Sequence, residues 1–410
     1  MPDSDTEVVI VGGGAAGVAA ARRLHEQAVP CLIVEARPRL GGRAWTVSSS
    51  GFSLDLGCGW LHSAKRNPWS EIAQRQGNTI DKTPPPWGRL SRADRFPPKD
   101  QRDYLQALEA FDERIDGIAV REPDRPADAY LEPGCRWNPL IDAVSTYYSG
   151  AELELISAHD LARYQEDNAN WRITEGYGTT VAAYGTDLPV ALNCPVRRIN
   201  HGGKRLKIET ANGTITADRA IITLPTPMLA EAALFSPALP DKAAAAAGLP
   251  LGLADKLFLS LEGAEEFEPA SRAFGYVDRV DTGSYHLRPF GWPMIEAYFG
   301  GRLAWQLEGQ GDAAFFDRAV TELTDVFGNS FARRIKLIGL HRWGADPFSR
   351  GYYSYAAPGK ADYRAALAEP VDGRLFFAGE ACSLADFSTA NGAYETGIAA
   401  AEATIAARSR

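Results

Sequence analysis

Cysteine is scarce in this chain, and what there is makes no pattern. The five residues (Cys31, Cys58, Cys135, Cys194 and Cys382) are scattered, odd in number and in no CxxC or metal-ligand spacing. That argues against a disulfide framework or a bound metal and leaves reduced thiols, as in a cytoplasmic protein, as the default. Positive charge is also short: 43 Lys and Arg stand against 52 Asp and Glu, a net charge of -9. Nucleic acid, which binds basic surfaces, is therefore not an expected partner. No apolar run approaches the roughly 20 residues of a membrane helix. The first residues, MPDSDTEVVI, lack the basic and apolar regions of a signal peptide. No Ser-His-Asp, paired-carboxylate or metal constellation stands out. What remains is ordinary globular composition, 45% hydrophobic and 23% charged over 410 residues, enough for two or three domains with sizeable cores.

TEVVIVGGGAAGVAAARRL opens with alternating β-branched residues, turns on glycines and continues into an Ala-rich helix. Gly12, Gly14 and Gly17 fit G-x-G-x-x-G. The first permits a tight turn, the second lets a pyrophosphate approach the backbone, and the third lets helix pack on strand. The helix N-terminus, at Ala15 and Ala16, then turns free amides toward phosphate. A second apolar strand, CLIVEA, ends in Glu35 about 20 residues after the glycines, where a carboxylate can take a ribose hydroxyl. NAD and FAD both satisfy this pattern. In RPRLGGRAWT, which follows, Arg43 beside Gly41 and Gly42 can reach back to the same pyrophosphate or stand solvated in a surface turn.

Glu-Ala-Arg-x-Arg-x-Gly-Gly-Arg after such a fold resembles the flavin-containing amine oxidases: monoamine oxidases, polyamine oxidases and the flavin-type histone demethylases. FSLDLGCGWLH (52–62) is similar to that family's segment under the flavin ring, with Gly57, Cys58 and Gly59 allowing close approach and Trp60 behind. EGYGTTVAAYGTDLPVALNCPVRRINHGG resembles its second nucleotide block, where Val196 would meet adenine. KRLKIETANGTITADRAIITLP reads as a hairpin around Asn212-Gly213 whose last strand returns toward the flavin at Pro225. In DKLFLSLEG, Leu257, Leu259 and Leu261 share one strand face and Lys256 lies on the other. Without context Lys256 is a snorkelling edge residue; the resemblance makes it the lysine beside flavin N5, acting through a water.

RWGADPFSRGYYSYAAPG (342–359) is the most specific internal match. The resemblance implies that Tyr353 walls an aromatic cage for the amine and that Trp343 lines the pocket. Tyr352 stands where covalently flavinylated relatives carry cysteine, which implies non-covalent FAD. FFAGEACSLADFSTANGAYETG (376–397) resembles the terminal block. There Gly379 and Glu380 would meet the ribityl and phosphate region, and a helix from about Asn391 would aim its N-terminus at the flavin. Thr389 occupies the place of the second cage aromatic, so Tyr353 stands alone or Phe387 closes the cage. By the same resemblance Ala36, Arg37 and Ala390 join the cofactor contacts.

The implied architecture is α/β with two domains. A discontinuous Rossmann-like FAD-binding domain spans 1–80, 175–250 and 350–410, and a substrate domain of mixed sheet and helix spans 81–174 and 251–349. QRDYLQALEAFDERIDGI belongs to the latter as an amphipathic helix burying Tyr104, Leu105, Leu108, Phe111 and Ile115. The implied reaction is amine oxidation: hydride leaves the carbon beside nitrogen for flavin N5, the imine hydrolyses to aldehyde or ketone plus ammonia or amine, and O2 reoxidises the flavin to give hydrogen peroxide. The partners are then a small amine and O2, without nucleic acid or membrane and with a homodimer left open. Desaturase-like or protoporphyrinogen-oxidase-like enzymes, an NAD-dependent dehydrogenase and a flavoprotein without turnover are the alternatives. The substrate stays open. The acids Glu152, Glu154, Glu166, Asp167 and Glu175 could gather a polyamine or be solvated, while Trp171, Phe274, Tyr276, Tyr285, Trp292 and Tyr298 lean toward a small apolar or aromatic amine.

Overall fold

Val8, Val9, Ile10 and Val11 are sealed from solvent, as a strand covered on both faces requires. The computed structural model, which describes residues 4–90, 96–118 and 122–408, places their strand, Ser4–Val11, inside an eight-stranded sheet. The order is Phe235–Ser236, Val196–Asn200, Leu206–Thr210, Gly213–Ile222, Ser4–Val11, Cys31–Val34, Val190–Ala191, with Leu375–Phe377 beside the end of Gly213–Ile222. Strands from the start, middle and end of the chain thus lie parallel, and their carboxyl ends open on one crevice. The predicted hairpin forms between Leu206–Thr210 and Gly213–Ile222.

The helices Ala15–Glu26 and Ala390–Arg408 pack together beneath this sheet. Small residues set their separation: a Cβ on Gly397 would stand 2.3 Å from the Ala16 carbonyl oxygen. The final helix begins at Ala390 rather than Asn391, because the Thr389 hydroxyl caps it by accepting from the Gly392 amide at 3.0 Å.

A second sheet is antiparallel, in the order Ser271–Phe274, Ser284–Leu287, Met294–Gly300, Ala254–Leu261, Ile335–Leu340. Period-two alternation sorts its residues. Leu257, Leu259, Leu261, Tyr285, Ile295 and Ala297 enter one core with the helices Gly301–Gln310 and Asp312–Phe327. Lys256, Glu296, Tyr298, His286 and Arg272 point to the opposite side. Helices Pro98–Asp116, Asn138–Tyr148 and Ala158–Arg163 complete this part of the chain. In the first of them Tyr104, Phe111 and Ile115 are buried as predicted, but Leu105 is 41% exposed. One residue beyond Tyr104 lies 100° around the helix, off the buried stripe. No helix among the described residues is long and apolar enough to cross a membrane.

Candidate active site

A cavity of about 430 Å³ occupies the crevice at the carboxyl ends of the parallel strands. Its floor is the glycine turn, where Gly12 holds φ +107°, a conformation that favours glycine. Gly12, Gly14, Ala15 and Ala16 line it, and the helix that starts there has no acidic side chain in its first turn. Glu35, Ala36 and Arg37 flank it on one side with Val196 and Pro225; Gly41, Gly42 and Arg43 lie on another. Cys58, Gly379, Glu380, Thr389 and Ala390 border it too. Gly17, Gly57, Gly59 and Trp60, expected at the cofactor, stand one layer behind. A Cβ on Gly17 would lie 1.9 Å from the Gly12 carbonyl oxygen, and one on Gly57 would lie 1.8 Å from that of Arg43. These glycines let the walls approach each other. Trp60 stacks on His286 instead.

Several polar groups are bound differently from their expected roles. The Glu35 carboxylate accepts the Gly13 amide at 2.7 Å and the Arg37 amide at 2.8 Å, so it braces the turn. Arg37 forks onto Asp346 at 2.7 and 2.8 Å, and His341 Nε2 lies 3.0 Å from the same carboxylate. Burial works to raise the Asp346 carboxyl, but His341 and Arg37 outweigh it and hold it well below the usual range. The Asp-Pro-Phe-Ser turn thus clasps the nucleotide-side strand. Glu380, expected to meet ribityl hydroxyls or phosphate, is occupied within the protein. It accepts from Arg43 at 2.8 Å, the Ser354 hydroxyl at 2.6 Å and the Ser388 amide at 3.1 Å. Behind it Arg364 donates to Ser354 Oγ at 2.9 Å and forks onto Asp160 with two bonds of 2.7 Å.

Tyr352 and Tyr353 close the far end of the cavity, their ring centroids 4.1 Å apart. Trp343 does not line it: fully buried, it donates Nε1 to the Leu56 carbonyl at 2.9 Å and packs behind Tyr352 at 5.6 Å. Thr389 does line it, yet its hydroxyl is spent as the helix cap and as a donor to the Asp386 carbonyl at 2.6 Å. Phe387 closes no cage; it packs on Tyr164 and under the Arg364 guanidinium, 4.0 Å from its ring. Lys256 is buried behind Gly59, donating to the Asp55 carbonyl at 3.1 Å, with Glu296 Oε1 3.2 Å away. Burial works to raise the Glu296 carboxyl, but Arg172 and Lys256 hold it well below its usual range.

The sequence reasoning missed Glu296, Arg172 and Ser388. Glu296 had a signal, an acid alternating with Ile295 and Ala297 in a buried strand; Arg172 had none. The acids read as candidate amine ligands or solvated groups each have a partner within the chain. Glu152 accepts from the Arg302 amide and Glu154 pairs with Arg302; Glu166 takes Asn170, Asp167 takes Ala169, and Glu175 takes Thr79. Of the aromatics, Tyr298 lies on the Lys256 side of the sheet, whereas Tyr285 faces away and donates to Glu322 at 2.8 Å.

The crevice fits FAD on its own chemistry. Two helix N-termini without acidic first turns border it, which suits anionic groups. Glycines bring the backbone to its surface: a Cβ on Gly42 would stand 3.1 Å from the Gly14 Cα.

The family model "Flavin containing amine oxidoreductase" matches residues 15–84 and 130–405. The chain is 30% identical to Polyamine oxidase 2 of Arabidopsis thaliana, across 98% of this chain and 88% of that protein. It is 28% identical to Polyamine oxidase 5 of Oryza sativa subsp. japonica, across 97% and 87%. A solved putrescine oxidase variant superposes with a TM-score of 0.80 at 18% identity, over 99% of this chain and all of the other, and so shares its fold. With a nucleotide cradle, an aromatic pair at its end and a family match over most of its length, this chain belongs to the flavin-containing amine oxidoreductases and is an FAD-dependent amine oxidase.

Proposed function

We propose that the protein binds FAD non-covalently and oxidises an amine beside Tyr352 and Tyr353, with O2 as electron acceptor and hydrogen peroxide, aldehyde or ketone, and ammonia or amine as products. One observation carries this: the tyrosine pair and the glycine cradle wall a single cavity. Bound FAD supplies the two-electron acceptor for hydride from the carbon next to nitrogen. The chain's residues prepare the amine for that step. The tyrosine faces align it and attract its cationic form on arrival. Their burial favours the neutral amine, which is the form that can give up hydride. The N-terminus of Ala390–Arg408 favours negative charge developing at its end of the cavity. Lys256, fixed by Asp55 and Glu296, contributes positive charge to the oxygen half-reaction. Trp343 acts behind Tyr352, and Thr389 leaves the site open on its side.

The domain division at 1–80, 175–250 and 350–410 against 81–174 and 251–349 belongs to this proposal. It is supported by the membership of the two large sheets, whose strands fall separately into these sets. Five free cysteines favour a reducing, cytoplasmic setting. The experiment is direct. The purified protein should be yellow, release intact FAD on denaturation, bleach anaerobically with an amine, and form peroxide in air. A yellow protein that no aromatic, aliphatic, polyamine or amino-acid substrate bleaches would sink the proposal.

A further inference from the structure

The cofactor cavity is walled mostly by buried residues, and its exposed lining is confined to a few positions. Arg197, Glu231, Pro347, Phe348 and Arg350 are exposed, while every other lining residue is buried or half-buried. These five mark the mouth. Two turns from distant parts of the chain meet there. Glu231 stands in the turn after the short helix Thr226–Leu229, where its amide donates to the Met228 carbonyl at 3.2 Å. Opposite it runs the turn Asp346–Arg350. Arg350 Nη1 reaches Glu231 Oε1 at 2.6 Å, joining residues 119 apart in sequence.

The second turn is pinned at its root, and its tip meets solvent. At the root Asp346 is held by the Arg37 fork. Its carboxylate accepts the Phe348 amide at 2.9 Å and its carbonyl accepts the Arg350 amide at 2.9 Å. Ser349 is buried and donates to the Gly351 carbonyl at 2.6 Å. At the tip Phe348 is a large apolar side chain left 38% exposed on the cavity rim. The Arg350 and Glu231 side chains are 50% and 48% exposed. An ion pair this wet contributes little stability and is screened by salt. It can hold the two turns together and it can part, whereas a buried bridge would only hold.

We propose that the Glu231–Arg350 pair is a clasp across the mouth of the cofactor cavity, that FAD enters and leaves where it parts, and that it sets how long FAD stays bound. The clasp acts by joining the two turns, so it holds the cofactor without touching it. This rests on the non-covalent binding of FAD proposed above.

Exchange tests it on the holoenzyme. Added isotopically labelled FAD replaces the bound cofactor, and mass spectrometry of FAD freed from the recovered protein by denaturation follows the label. Glu231→Gln separates a clasp from a simple field effect. It leaves the mouth more positive, which by itself would slow the loss of an anionic cofactor. A lost clasp instead quickens exchange, by about two- to fivefold. Arg350→Gln should quicken it at least as much. The charge-reversed double variant, Glu231→Arg with Arg350→Glu, should return exchange to within about twofold of the parent. Raising sodium chloride from about 0.05 to about 0.5 M should speed exchange in the parent and far less in Glu231→Gln. Both side chains lie at the surface, so the variants should fold; if one does not, the salt dependence of the unaltered enzyme reads the same pair.

Exchange in Glu231→Gln equal to or slower than the parent overturns the clasp, as does a double variant no nearer the parent than the single ones. Exchange that no substitution and no salt alters, while denaturation still frees intact FAD, overturns it too. FAD that stays attached to the denatured chain defeats instead the non-covalent reading beneath it.

Discussion

Arg364 and Arg272 are both buried guanidiniums, and they are finished differently. Arg364 forks onto Asp160, donates to Ser354 and through it joins Glu380 and Arg43 at the cofactor crevice. Each of those charges has an opposite within the chain. On the other sheet, the face that carries Arg272 pairs Glu296 with Lys256 and Arg172, and among the described residues it leaves Arg172 Nε and His286 Nε2 without hydrogen-bond partners. Desolvated polar groups are costly unless matched, so the two networks mark different duties. The first is complete because it fixes the scaffold against a permanent cofactor. The second is a buried face on which Glu296 answers Lys256 and Arg172.

Breaking the finished network should have the largest effect. Arg364→Met strands Asp160 in the interior and is expected to cost about 4 kcal/mol of unfolding free energy, read by denaturant titration of the holoprotein. Adding Asp160→Asn should recover part of that loss; no recovery would mean that the pair is not what the site depends on.

Glu296→Gln removes the single carboxylate from the unfinished face. A loss of about 2 to 3 kcal/mol is expected, because Lys256 and Arg172 are left without an anion. Lys256→Met should be milder in stability, since Arg172 keeps Glu296. Its signature is kinetic: oxygen reoxidation measured by stopped flow should slow by about a hundredfold while anaerobic reduction changes far less. Equal rates for both half-reactions before and after the substitution would remove Lys256 from the oxygen step.

The smallest effect sharpens the comparison at the strand end. Asp255 is fully buried beside Lys256 in sequence, and burial, reinforced by the Glu308 carboxylate, pushes its carboxyl well above the usual range. A carboxyl raised in the fold contributes stability below its unfolded value near 3.8 and loses that contribution as pH rises through the folded value. Asp255→Asn keeps an acceptor for the Trp343 amide, now 3.1 Å from Oδ1. It is expected to flatten the alkaline side of the stability profile and raise stability there by about 1 kcal/mol. A variant that tracks the parent at every pH would show that Asp255 does not titrate in this window.

The cofactor crevice was largely legible in the sequence, and the sheet face was not. Gly12, Gly14, Glu35, Arg43 and Gly379 fall in short motifs whose spacing implies backbone shape, and all five border the cavity. What each polar group holds was hidden. Arg37 meets Asp346 more than 300 residues away, and Glu380 turns to Arg43 and Ser354 rather than standing free. Phe387 and Thr389 are adjacent to the right loop, but one is core and the other a cap, a choice made by rotamer and not by spacing.

By itself the sequence determined the nucleotide turn, the hairpin and the alternating strands, because glycine conformations, turn chemistry and side-chain periodicity act over a few residues. Only the tertiary structure decided which charges are neutralised. Arg172, Lys256, Arg272 and Glu296 come from separate segments, and whether a buried cation finds an anion depends on strand register and packing that no local pattern encodes. That decision sets Arg364, balanced by Asp160, apart from Arg272, which donates to the Ser284 hydroxyl and pairs with no carboxylate of the described residues.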